Sequence, residues 1–241
     1  IPIAKTNGRR ASISRRRILD AIFYLVHTGC GWEYLPKDFP NWKTVYHYFR
    51  LWRLSNVWKC INDLLRSQLR KDLQRSEQPS AAIIDSQSVK STAIGGPERG
   101  YDGGKKVKGR KRHILVDTQG FLLDVKVHSA DIADRDGAQL LLEHVPNTFP
   151  IIKKLWVDSA YNGRFLSWSK KQLPNWNIEC VKHWWTNLKG IWLAPGQKPP
   201  TIPTGFHVLP KRWIVERTFA WLHHARRLSK DYEYLPTTTE N

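Results

Sequence analysis

The chain has 241 residues and carries 39 Lys and Arg against 21 Asp and Glu, a formal net charge of +18. That length allows one large domain, or a main domain with a small appendage, around a real core, and the charge implies a polyanionic partner such as DNA, RNA or an anionic surface. No stretch approaches ~18 consecutive apolar residues and the amino terminus has no apolar run of signal-peptide type, which argues against a membrane partner and for a soluble, cytoplasmic protein.

Residues 1 to 12 are polar and basic. Ile13, Ile18, Ala21, Ile22, Leu25 and Val26 then form an apolar stripe near helical period, with Gly29 and Gly31 as its exit. After a Pro-bounded turn (Pro36 to Pro40), Trp42 to Trp52 and Trp58 to Leu73 read as two more helices. Three short helices with basic and aromatic faces suit a helix-turn-helix-like module, and Gln74 to Ser80 is polar enough to be a linker. AAIID (Ala81 to Asp85) is a strand-like run ending in an acid. RHILVD (Arg112 to Asp117) and FLLDVKV (Phe121 to Val127) flank a TQG turn and read as a hairpin. A helix is expected from Asp131, as N-cap, to His144; then a strand at Lys153 to Asp158, a helix at Gly163 to Leu173, a strand at Ile178 to Lys182, a proline-rich loop over Gly190 to Pro210, and a long helix at Lys211 to Leu228. This order matches an α/β, ribonuclease-H-like mixed sheet with flanking helices. The expected organisation is a helical DNA-binding module over 1–76 and a catalytic domain over 81–235.

The remaining composition narrows the chemistry. Cys30, Cys60 and Cys180 are odd in number and widely spaced, so they read as reduced thiols and not as a zinc site. The nine histidines show no HxxxH pattern with a nearby acid, and His223 and His224 are expected to face solvent or DNA. No GxGxxG opens a helix and no GxxxxGK[ST] occurs, so ATP is not implicated. Methionine is absent even at position 1, so residues ahead of Ile1 are expected to be missing. The twelve tryptophans read first as core and interface packing.

Phosphodiester cleavage by two metal ions needs carboxylates converging on one point, and hard cations such as Mg²⁺ take oxygen ligands. Asp85 and Asp158 each end an apolar run and precede a serine (IIDS, WVDS); on neighbouring strands they would emerge at one edge of the sheet. Glu216 sits in RWIVERTFAWL beside Val215 and Phe219, an unusual place for an acid without a partner or ligand. Singly, each has an ordinary explanation: a turn former or helix cap for the aspartates, a surface ion pair with Arg212 or Arg217 for the glutamate. Together with the strand order they form a candidate catalytic and metal-binding triad. Asp117 and Asp124 read as turn and surface residues, and Asp131, Asp134 and Asp136 as charges at a helix start.

At this point the chain resembles transposases of the DDE class, in the insertion-sequence-five-like group. The resemblance is carried by IIDSQSVKS, GYDGGKKVKGRKRHILVDTQG, WVDSAYNG, RWIVERTFAWLHHARRLSKDYE and, in the leading helices, RRRILDAIFYLVHTGCGWEYLP. It implies that Asp85, Asp158 and Glu216 hold two Mg²⁺ or Mn²⁺ ions. It further implies that the enzyme binds the terminal inverted repeats of its element, cleaves a strand, and joins the 3′ end to double-stranded target DNA, as a homodimer or larger assembly on the nucleoid. In the signature around the family's glutamate, Arg212 matches the arginine, whereas Leu209 and His223 stand where tyrosine and lysine are expected. The run KKVKGRKRH, here Lys105, Lys106, Lys108, Arg110, Lys111 and Arg112, is expected with Arg212 and His223 to contact DNA phosphates. Two alternatives stay open: a nuclease of the same fold that cuts without joining, and a transposase-derived DNA-binding protein that has lost catalysis.

Overall fold

The computed structural model describes residues 13–93, 95–181, 196–198 and 211–241. The first element among the described residues is α1 (Arg15–Thr28), whose N-cap Ser14 accepts a hydrogen bond from the Arg17 amide. It ends at Gly29, which takes the left-handed conformation at φ 74° and donates its N–H to the Leu25 carbonyl, so the expected glycine exit is present. A short 3-10 turn (Trp32–Tyr34) leads to α2 (Trp42–Leu54) and α3 (Val57–Asp72). The three helices close on their own core, in which Ile18, Ala21, Ile22, Val45, Trp52 and Val57 are buried.

Among the described residues, the second part is built on a six-stranded sheet: β1 (Ala81–Lys90), β2 (Gly100–Asp102), β3 (Val107–Asp117), β4 (Leu122–Ser129), β5 (Lys154–Val157) and β6 (Asn177–Cys180). The strand order is β2-β3-β1-β5-β6, with β4 also paired to β3. The β1–β3 and β3–β4 pairs are antiparallel, whereas β1–β5 and β5–β6 are parallel. One face of the sheet is covered by α4 (Asp134–Leu142), α5 (Val145–Thr148) and α6 (Arg164–Gln172), which pack Leu141, Leu142, Val145 and Phe165 on Ala82, Ile84, Leu115 and Leu155. The other is covered by α7 (Arg212–His223), whose Ile214, Val215 and Phe219 pack on Ile83, Ile114 and Val116. The tail adds α8 (Arg226–Ser229) and α9 (Pro236–Thr239). This is the mixed α/β architecture read from the element order. Alternation along β1 explains its layers: Ile83 and Ile84 point to opposite faces and find different helices there.

Several elements differ from the sequence reading. β1 runs five residues beyond Asp85, because SQSVK, though polar, keeps a full antiparallel ladder with β3. Asp131 is not a helix cap: its carboxylate accepts from the Ser129 hydroxyl, and α4 starts after Ala133. The last helix breaks after His223, so that α8 is a separate turn. Asp117 makes its expected turn bonds to the Gln119 and Phe121 amides, but it is wholly buried and ion-paired with Arg70 of α3. Asp124 stays near the surface, 4.0 Å from Lys59. The proline-rich loop and Leu209 lie outside the described residues, except 196–198.

Helix α3 ties the helical part to the sheet with polar groups. Asn62 and Arg66 each donate to the Leu122 carbonyl at 3.0 Å, and the Arg66 guanidinium lies 5.1 Å from the Phe149 ring. With Arg70 on Asp117, two buried arginines of one helix thus reach the start of β4 and the turn ahead of it.

Candidate active site

The β1–β5 register sets the level of the first two acids. Ala81, Ala82 and Ile83 are opposite Lys154, Leu155 and Trp156; continued by two residues on each strand, that register brings Asp85 level with Asp158. β5 stops at Val157 while β1 continues, so the parallel pair parts where the acids stand. Asp158 turns the chain into a 3-10 turn (Ser159–Tyr161) and caps it by accepting from the Ala160 amide at 2.7 Å. It is therefore both a helix cap and an acid at the sheet edge.

Helix α7 carries the third candidate acid, Glu216. Asp85 shares its face of β1 with Ile83, which packs on α7, and with Gln87, whose Oε1 lies 3.1 Å from His223 Nε2 on the same helix. Arg212, Glu216 and His223 follow one stripe of α7, since they are four and seven residues apart, and that stripe borders the Asp85–Gln87 edge. The Arg212 Nη2 atom lies 3.2 Å from Glu216 Oε1 and 4.0 Å from Asp158 Oδ2. One guanidinium thus spans two of the three acids. Arg217, the other candidate partner of Glu216, is stacked between Trp213 and Trp221 and donates to the Gln119 carbonyl.

The electrostatics single out Asp85. Burial raises its pKa from 3.8 to about 6; the Ser86 amide, which donates to Oδ1 at 2.7 Å, counters this, and the Asp158 charge adds to the rise. Arg212 and Lys105 offset only part of it. A partly buried carboxylate left short of positive charge, with a second one level with it, is a donor set suited to a hard divalent cation. Among the described residues, however, no three His, Cys, Asp or Glu side chains stand close enough together to hold an ion. Glu216 is half exposed and engaged with Arg212.

The basic run divides in two. Lys105 reaches the site: its Nζ donates to the Ser86 carbonyl and hydroxyl oxygens at 3.2 Å. Lys106 and Lys108 are exposed. Arg110, Lys111 and Arg112, also expected to contact DNA, are instead buried within β3. Arg110 pairs with the buried Asp231 at 3.2 Å and donates to the Glu98, Glu233 and Tyr234 carbonyls. Lys111 pairs with Asp102 and Asp134 at 3.4 and 2.8 Å, and Arg112 donates to the Leu228 and Lys230 carbonyls. Their charges are met by acids and carbonyls, some nearby such as Asp102 and others, such as Asp231, from distant parts of the chain. His223 and His224 are exposed, whereas His113 and His128 form a buried stacked pair with Nδ1 and Nε2 at 2.9 Å, which no spacing in the sequence announced. Gln87 was also missed; its even spacing from Asp85 on one strand was the available signal.

Comparison with known proteins bears on this geometry. Residues 76–241 match the family described as Transposase DDE domain, and residues 1–62 match one described as a putative transposase of the IS4/5 family. The chain is 29% identical over 96 residues to an uncharacterized 16.2 kDa protein of insertion element IS402 from Burkholderia cepacia, covering 39% of this chain and 64% of that protein. It is 24% identical over 176 residues to a putative transposase for insertion sequence element IS402, also from Burkholderia cepacia, covering 73% of this chain and 78% of that one. The chain therefore spans less than two thirds of the first of these relatives. Among the described residues, no helix is long and apolar enough to cross a membrane.

Proposed function

The chain belongs to the DDE transposase family, and from that premise we propose that it binds the terminal inverted repeats of an insertion sequence, cleaves DNA strands there and joins the freed 3′ ends to target DNA. The observation that carries this reading is the β1–β5 register, which sets Asp85 level with Asp158 beneath the α7 stripe that bears Glu216.

Asp85, Asp158 and Glu216 would hold the divalent ions, Mg²⁺ or Mn²⁺. When bound, such ions supply Lewis-acid activation of the attacking oxygen and stabilisation of the leaving one. The protein's own part is to place and prepare the charges. Asp85 is fixed by the Ser86 amide, and Asp158 by the Ala160 amide, so neither carboxylate has to be ordered when a ligand arrives. The positive charges of Lys105 and Arg212 both act on Asp85, where a DNA phosphate would otherwise meet only negative charge. The exposed Lys106 and Lys108 extend that positive approach. Cleavage and joining are both in-line displacements at phosphorus, so no covalent Ser, Tyr or Cys intermediate is needed.

The test is to incubate the purified protein with duplexes carrying the ends of its element, a target plasmid and Mg²⁺. Metal-dependent nicking at the ends followed by recovery of joined products is expected. Nicking without joined products would favour a nuclease, and binding without nicking a protein that acts by occupancy.

A further inference from the structure

Arg212 stands where helix physics disfavours it. It is the first residue of α7, a helix with no acid in its first turn, and it follows Lys211, which holds a strained φ of 71°. A cation at that end faces the positive pole of the helix dipole. Among the described residues, its side chain pairs with acids of the candidate site: Glu216 at 3.2 Å and Asp158 at 4.0 Å, with Asp85 within electrostatic reach. The contrast with Arg110 is instructive. Arg110 is fully buried and bonded on every side, whereas Arg212 is partly exposed and joined to its acids by looser contacts.

We propose that Arg212 is a displaceable counter-ion: in the metal-free chain it occupies the space between Asp158 and Glu216, and a divalent cation must evict it before the three carboxylates can gather. The proposal rests on the metal-centre reading above and deepens it. It accounts for two observations together, the absence of a ready-made three-acid cluster among the described residues and the presence of a guanidinium bridging two of those acids. Glu216 is half exposed on its helix, so release from Arg212 leaves its side chain free to swing. The evicted guanidinium, still tethered beside the site, becomes available to a phosphate.

Mn²⁺ affinity measured without DNA, by calorimetry or by the electron paramagnetic resonance of free Mn²⁺, tests this. Removing a competing ion pair of this exposure should tighten binding, so Arg212→Ala is expected to bind Mn²⁺ roughly 5-fold more tightly than wild type. Arg212→Lys keeps the charge but cannot span both acids; it should tighten binding by a smaller factor, and it decides the matter if the alanine variant misfolds. Lys211→Ala removes a neighbouring charge whose ammonium lies over Trp156 and not on the acids, so its affinity should stay within about 2-fold of wild type. Unchanged or weaker Mn²⁺ binding by the Arg212 variants overturns the proposal, as does equal tightening by Lys211→Ala, which would show a bulk charge effect. If neither wild type nor any variant binds Mn²⁺, the metal-centre reading itself falls and this proposal with it.

Discussion

A site that holds unneutralised acids should cost the fold stability, and Asp85→Asn measures that cost. An ordinary aspartate titrates near 3.8, and in the fold Asp85 is raised to about 6, chiefly by burial. Each unit is worth about 1.4 kcal/mol, so ionised Asp85 weakens the metal-free fold by up to about 3 kcal/mol at neutral pH. The sign follows from proton uptake. Between the two pKa values the folded chain holds a proton that the unfolded chain has lost, so this group makes stability fall as pH rises from about 4 to 6. Above that window the penalty is constant, and below it the penalty is gone. Asparagine keeps an oxygen for the Ser86 amide, now 2.7 Å from Oδ1, and carries no charge. Urea unfolding in chelator at pH 7 should therefore show Asp85→Asn more stable than wild type by about 1 to 3 kcal/mol, with the gain vanishing near pH 4. A variant that is destabilised at pH 7, or whose gain does not change with pH, would refute the reasoning.

His113 is pushed the other way, down to about 3 by burial, then by its neighbour His128, so its neutral form is the folded one. In the Asp85→Asn background, stability should be fully present above pH 6.5 and fall by up to about 1.4 kcal/mol per unit as pH drops toward 4; urea midpoints that stay flat over that range would contradict it. Arg110→Ala leaves Asp231 unpaired in the interior and should cost about 3 to 5 kcal/mol of unfolding free energy; a loss under 1 kcal/mol would return Arg110 to the surface. Replacing Lys105, Lys106 and Lys108 together with alanine should leave stability within about 1 kcal/mol and reduce the salt slope of DNA binding, by roughly 0.9 for each phosphate contact removed; an unchanged slope would make that end of the run a bystander.

What the sequence disclosed followed from local periodicity. IIDS and WVDS end apolar runs, and the polypeptide has few ways to do that beside a parallel neighbour, so Asp85 and Asp158 could be named before any coordinates. The order of the other strands and helices was readable for the same reason, but the short β2, inside a glycine-rich stretch, was not. The strand end at Asp85 was misplaced because SQSVK is held by pairing with β3 and by polar partners on its face, among them Asp102 on Ser88, and not by apolar alternation. KKVKGRKRH looked like one solvated patch because the groups that neutralise half of it lie far away in sequence: Asp231 and the Leu228 and Lys230 carbonyls are more than a hundred residues beyond Arg110 and Arg112. Tertiary charge compensation of this kind leaves no local pattern. The polar weld of Arg66 and Arg70 to Leu122 and Asp117 was hidden likewise, since buried arginines on a helix read as its exposed face.

The central claim is that Asp85, Asp158 and Glu216 act as one metal-dependent centre on DNA. The most direct measurement compares wild type with Asp85→Asn, Asp158→Asn and Glu216→Gln in two assays on duplexes carrying the element's ends: cleavage with Mg²⁺, and binding without metal. Each substitution removes a ligand charge while nearly keeping shape, so cleavage should drop below detection in all three, whereas metal-free binding should hold or tighten slightly as repulsion of the phosphates falls. Cleavage at the wild-type rate by any one of the three would remove that residue from the centre, and identical behaviour of all four proteins in both assays would contradict the catalytic account.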